Sequence, residues 1–376
     1  MQAGFCCLEV GAVRTKNATN IVMKNLLDIV ICALVYYLIG YSLGYGNGSC
    51  IIGLTYWAGV GLSEASMAHW FFQFIFAATA STILSGAVAE RCNFLAYIIY
   101  NAAISGFVYP VVSHWVWHEE GWLVQLGYRD FAGSGAVHAL AGTCSFVAAA
   151  LLGPRHGRFQ DGKPLEIAGH STPLVGVGGL LLISGFLAFN GGSLGHATHP
   201  GDGEIIARTI VNTIMGGSGA GLILLGISIT GLIGEYHWPF ALTLNSILTG
   251  MVSICGGADE FSSLGALITG ALASPIFLGI HYLMLHFQVD DPLDAVAVHF
   301  GGGMWGVISM PLLTKKGILY EGSRKAFKQL GYNFIGLLAI SAWSASTSLV
   351  IFGILKFSKQ FRVSEEEEII GKPANK

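Results

Sequence analysis

The chain has 376 residues, of which 53% are hydrophobic and only 11% are Asp, Glu, Lys or Arg, and its mean hydropathy is +0.62. An ordinary soluble domain carries roughly 25% charged residues, and a soluble fold of this size would have to turn much of its apolar surface to water, so a soluble enzyme is excluded. The same balance excludes a disordered chain, and the net charge of −3 gives no reason to expect nucleic acid as a partner.

In chain order, the first element is MQAGFCCLEVGAV, residues 1–13, which is apolar but about half the length that a membrane span needs. It has neither the basic start nor the cleavage pattern of a signal peptide. It reads as the second half of a span whose first half lies outside this sequence. Full spans follow at about 25–46, 69–89, 95–117, 131–153, 174–195, 205–232, 238–256, 261–286, 294–313 and 331–357. The expected architecture is therefore an all-α polytopic membrane protein of eleven helices, the first one truncated. Its membrane domain covers 1–357, and a polar, acidic tail covers 358–376, read as a solvated end. The 52 glycines follow no G-x-y period and suit close helix packing in lipid. The seven cysteines lie mostly inside apolar runs, as Cys32, Cys144 and Cys255 do, and read as small core residues.

Basic residues in short loops orient such a chain. Arg14, Lys16, Lys24, Arg91, Arg155, Arg158, Lys163 and the tail lysines and arginine fall on one side, which places the N-terminus outside and the tail in the cytoplasm. One outer loop dissents, with Lys315, Lys316, Arg324, Lys325 and Lys328. The sequon at Asn47 then faces out and the one at Asn17 faces in.

The strongest internal signal is a repeated motif. DFAGSGAVH places Asp130 eight residues before His138, and DPLDAVAVH places Asp291 eight residues before His299. Each Asp sits near the start of its span, where a carboxylate suits the positive end of a helix. Eight residues of helix rise about 12 Å, which puts each His near the middle of the hydrocarbon layer. The two spans are the fifth and the tenth, and they run in opposite directions, as an inverted repeat of five plus five helices requires; the eleventh is an addition. Ionisable groups inside a bilayer are costly and mark function. Paired imidazoles there have three uses: axial ligands for a haem in an electron carrier, a metal site lacking further ligands, or the lining of a narrow path for a small polar solute. The remaining histidines, among them His196, His199, His281 and His286, receive no role. No phosphate loop or nucleophile elbow is present.

Several blocks in this order, FFQFIFAATASTILSGAVAER, DFAGSGAVH, GFLAFNGGS, DDPLDAVAVHFGGGMWG and RVSEEEEIIG, resemble the ammonium transporter family (Amt, Mep and the more distant Rh proteins). The likeness runs from Met1 to about Gly371, and DFAGSGAVH and the tail suit the Amt branch better than an Rh-like ammonia gas channel.

The resemblance implies a plasma-membrane homotrimer embedded in the lipid bilayer, with one pore per subunit, ammonium or ammonia as substrate, no cofactor and no covalent reaction. It gives Trp117, Asp130 and Ser193 the recruitment of ammonium, Phe76 and Phe189 the stacked gate below, and His138 and His299 the lining of the pore. Taken alone, Phe76 and Phe189 would be packing residues and Trp117 an interfacial belt residue. Two departures stand out. Phe186 occupies a position where many bacterial members carry Trp, which bears on the outer vestibule, and the tail turns to GKPANK without the family's longer regulatory segment.

Overall fold

The structure is a computed structural model that describes residues 1–234 and 239–371; His237, Lys372 and Lys376 lie outside the described residues. The helices in chain order are α1 (Gln2–Ala12), α2 (Thr15–Tyr45), α3 (Glu64–Ala87), α4 (Phe94–Leu126), α5 (Ser134–Leu152), α6 (Thr172–Gly192), α7 (Asp202–Ile229), α8 (Phe240–Ile254), α9 (Ser263–His286), α10 (Val296–Leu313), α11 (Arg324–Phe357) and α12 (Glu365–Ile370). The chain breaks after Trp117, and Trp122–Leu126 forms the separate last piece of α4. A small hairpin, β1 (Phe159–Gln160) antiparallel to β2 (Lys163–Pro164), lies between α5 and α6. Among the described residues, nine helices are long and apolar enough to cross a membrane; α8 is apolar but has 15 residues and α1 has 11.

Polar caps start many of these helices where the hydropathy rises. The side chains of Ser63, Asn93, Ser171, Ser262 and Ser323 accept from backbone N–H groups in the first turns of α3, α4, α6, α9 and α11, satisfying donors that a helix start leaves unpaired. Apolar side chains then divide by depth. α5 and α10 are largely buried at the centre, whereas α6 and α11 leave most of their surface outward, with Leu180, Leu338, Leu349 and Val350 exposed as a lipid face demands. Small residues let the inner helices meet closely. A Cβ on Gly270 of α9 would lie 1.8 Å from the carbonyl oxygen of Gly216 on α7, and one on Gly142 of α5 would lie 2.2 Å from the Phe300 nitrogen on α10. The first helices of the two halves, α1 and α6, pack together, and the starts of α5 and α10 meet from opposite directions, the arrangement of an inverted repeat.

Three expectations change. α2 takes in Lys24, which is buried and donates Nζ to the Cys92 carbonyl at 2.9 Å, so Lys24 is not a loop residue. α11 begins at Arg324, not near 331, and carries Lys325 and Lys328 on its first turns, which reduces the dissenting loop. The tail is docked and not free in solvent. Its backbone pairs with the α3–α4 turn through Asn93 N–H to Phe361 O and Val363 N–H to Arg91 O, both at 3.0 Å. α12 starts with a reciprocal capping box between Ser364 and Glu367, and its buried Glu368 is held by Arg362 at 2.7 Å and by the His156 N–H at 2.7 Å. Two of the groups that hold α12, the His156 N–H and the Lys16 ammonium, lie far away in the chain, so the charge of EEEE does not by itself reveal the docking.

Candidate functional site: a paired-histidine pore

The site begins at the break in α4. Gly133, at φ +96°, turns the chain into α5 through a conformation that other residues avoid. Just before it, Asp130 caps the helix from below. Its Oδ1 accepts the N–H groups of Gly133 (3.0 Å) and Ser134 (2.8 Å), and its Oδ2 those of Gly135 (2.8 Å) and Ala136 (3.0 Å). Four donors that a helix start leaves unpaired thus converge on one buried anion. The Asp130 carbonyl also accepts the indole N–H of Trp117 at 2.8 Å, so one residue caps α5 and aims the Trp117 ring.

Below Trp117 the rings form a file. Trp117 meets Phe76 edge-on with centroids 5.8 Å apart, and Phe76 stacks on Phe189 at 4.1 Å and 28°. Ser193 caps α6 one turn past Phe189 and donates its hydroxyl to the Phe189 carbonyl at 2.8 Å; its lone pairs remain able to accept. Phe189 and Phe186 each lie 5.6 Å from the His138 ring. Phe186 is therefore a buried neighbour of His138, one turn before Phe189 on α6, and not a residue of the outer vestibule.

His138 and His299 meet with their Nδ1 atoms 3.1 Å apart and their ring centroids 5.2 Å apart at 12°. Both sit on π-helical turns, Ser134–Ala139 and Val296–Gly301, a local unwinding that is rare and gathers at functional sites. The expected 12 Å of helix below each His is corrected here: Asp130 and Asp291 precede their helices, so each His lies within one wide turn of its helix start. His138 Nε2 is buried without a hydrogen-bond partner. On the far side of His299 lies a small cavity of about 30 Å³, lined by Phe5, Leu8, Glu9, Leu293, Val298 and His299.

This geometry removes the haem reading. Axial imidazoles bond the iron from opposite faces of the macrocycle, whereas these two nitrogens are in direct hydrogen-bond contact. A metal held by the pair lacks further ligands: among the described residues the one cluster of three closely set ligand atoms is elsewhere, at His196, His199 and Asp202.

Sequence reasoning missed two groups. Glu9 is buried against Asn25 (2.9 Å) and Ser85, and Asp28 against Tyr97 (2.7 Å), Thr82 (3.1 Å) and Asn101. Their presence inside apolar runs was the available signal. His281, to which the sequence assigned no role, has its Nδ1 2.6 Å from Asp294 Oδ1. Next to it, Asp290 binds Arg155 at 2.8 Å and Arg158 at 3.2 Å. Burial alone would raise the Asp290 pKa, but the Arg155 hydrogen bonds and charge outweigh it and hold the carboxyl down at about 2.

A family model described as the Ammonium Transporter Family matches residues 1–376. The chain belongs to the ammonium transporter family. A Caenorhabditis elegans relative assigned as ammonium transporter 1 is 44% identical over 99% of this chain and 74% of its own length. Ammonium transporter 1 member 3 of Solanum lycopersicum is 35% identical over 99% of this chain and 87% of its own. Among solved structures, a protein titled Sensor Amt Protein superimposes with a TM-score of 0.91 at 32% identity, covering 99% of this chain and 93% of its own. Candida albicans Mep2 does so with a TM-score of 0.86 at 26% identity, covering 98% and 84%. These relatives are Amt and Mep transporters, so the Rh-like gas-channel alternative is set aside along with the haem carrier.

Proposed function

We propose that this chain moves ammonium across a membrane through a narrow pore in each subunit of a homotrimer. The observation that carries this reading is the 3.1 Å contact between the His138 and His299 Nδ1 atoms at the end of an aromatic file. At the mouth, Trp117 offers its ring face to a cation, worth about 0.5–2 kcal/mol depending on desolvation. Asp130 adds a negative field without touching the ion, and Ser193 accepts one N–H. Potassium feels the ring and the field but has no hydrogen to donate.

Phe76 and Phe189 then close the path to water, and stripping a bare charge costs several kcal/mol. Ammonium therefore gives up its proton on entry. The histidine pair is suited to pass that proton on: one Nδ1 donates to the other, which fixes complementary tautomers and leaves His138 Nε2 directed at the passing molecule. The neutral amine follows the lined path to the cavity under His299.

The basic-residue asymmetry supports a tail on the cytoplasmic side and an N-terminus outside, with residues 1–357 as the membrane domain and 358–376 as the cytoplasmic tail. A plasma-membrane location fits that topology. The test records current and uptake together for the wild type, His138→Ala and His299→Ala at equal surface expression. The relay predicts a lower ammonium current and altered selectivity, with potassium admitted through a wetter pore. If both variants keep the wild-type rate, charge per nitrogen and potassium exclusion, the histidines are packing residues.

A further inference from the structure

At the end of α6 on the face opposite the tail, the short connection to α7 brings His196, His199 and Asp202 together. His196 Nδ1 lies 2.8 Å from Asp202 Oδ2, His199 Nδ1 lies 3.4 Å from the same oxygen, and the two nitrogens are 3.2 Å apart. We propose that these three atoms bind one divalent transition-metal ion of the zinc class.

The triangle has the right size. Ligand bonds of about 2.0–2.1 Å in a tetrahedral site put neighbouring ligand atoms roughly 3.3–3.4 Å apart, close to the three distances here. Imidazole nitrogen with a carboxylate oxygen is a donor set that zinc accepts, and three protein ligands leave a fourth position for water. The hydrogen bonding points the same way. Asp202 Oδ2 faces three nitrogens at once, because the His199 backbone N–H also donates to it at 2.7 Å. A carboxylate oxygen has about two lone pairs, so the two imidazoles cannot both be served by it. A metal takes the Nδ1 lone pair of both rings and moves their protons to Nε2. The backbone N–H then becomes the outer contact that steadies the ligating carboxylate.

One effect opposes a cation: the site lies at the positive start of α7. Asp202 and Glu204 in that first turn offset it. Access is open, since the side chains of His196 and His199 are 46% and 69% exposed while Asp202 is buried at 5%. A fixed carboxylate under two reachable imidazoles is a partly preformed site.

The test uses the purified full chain in detergent, free of any histidine tag, with cobalt(II) as a spectroscopic probe and zinc as competitor. The expected result is one equivalent of cobalt with the strong visible absorption of a four-coordinate site, displaced by zinc. Asp202→Asn should weaken binding at least about tenfold, and His196→Ala/His199→Ala should abolish that absorption. His196→Gln is the control for folding: its side chain is exposed, so gel filtration and melting without metal should match the wild type while the four-coordinate signal is lost. Pale six-coordinate cobalt, or a four-coordinate signal that survives in the double variant or in His196→Gln, overturns the proposal.

Discussion

Asp130 and Asp291 each precede one of the paired histidines by eight residues in matching stretches of sequence, yet the two helix starts are built differently. Asp130 gathers four backbone N–H groups and positions the Trp117 indole through its own carbonyl. Asp291 accepts from Val296 N–H at 2.7 Å, and its Oδ1 is buried without a hydrogen-bond partner. On that side the charge is shared out: Asp290 goes to Arg155 and Arg158 from the loop after α5, and Asp294 to His281 of α9. The lesson is that an internal repeat can preserve the backbone turn and the histidine while assigning opposite electrostatic tasks. One start holds a single capped anion beside an aromatic ring, which suits cation capture. The other ties the loops together by ion pairs, and Arg91 links it to the tail by donating to the Asp290 carbonyl while its own carbonyl accepts Val363 N–H.

The largest effect should come from breaking the stronger cap. Asp130→Ala strands several buried donors at about 1–3 kcal/mol each, so a loss of roughly 4 kcal/mol or more is expected together with loss of ammonium uptake. Thermal unfolding and size-exclusion in detergent read the first, and uptake reads the second. A variant that melts and transports like the wild type would show that the four N–H contacts do not matter.

Next comes the ionic side. Arg155→Ala leaves Asp290 buried and short of its main partner, at a cost of about 3 kcal/mol. The network also has a pH signature. The Asp290 pKa is depressed, to about 2, so its contribution is present above the ordinary Asp value of about 3.9 and is lost only as pH falls toward 2. Melting curves of wild type and Arg155→Ala should therefore stay apart from neutral pH down to about 4 and converge below it; a constant gap down to pH 2 contradicts the assignment.

The smallest effect sharpens the contrast. Asp291→Asn keeps an oxygen for Val296 N–H and removes a charge that has little to hold it. A change of about 1 kcal/mol or less is expected, with uptake retained. If Asp291→Asn proves as damaging as Asp130→Ala, the two starts are equivalent and the comparison fails.

Much of this was legible from the residues. The hydropathy runs located most spans to within a few positions but missed the start of α2 by ten residues, the end of α4 by nine and the start of α11 by seven, and Asp130, Asp291, His138 and His299 stood out as ionisable groups in apolar surroundings. Phe76, Phe189, Trp117 and Ser193 did not stand out by themselves, because an aromatic or a serine in an apolar run is ordinary, and only the family resemblance singled them out. Glu9 and Asp28 were overlooked although the same rule that found the histidines applied to them. The docked tail was misread because Arg362, His156 and Lys16, which hold α12, lie in three separate parts of the chain.

By itself the sequence determined the membrane class, the order of the apolar helices, and the pairing of two Asp–His motifs in opposite orientations. These follow from local sums, such as the length of an apolar run or the spacing within a motif, which need no knowledge of neighbours. Only the tertiary structure decided that two imidazoles 161 residues apart touch through Nδ1, that Phe186 lies beside them, and that His196, His199 and Asp202 turn three ligand atoms to one point. Such contacts depend on where helices cross and on the wide turns that rotate a side chain off the regular helical face. A one-dimensional pattern specifies the rise along each helix but not its rotation against the next.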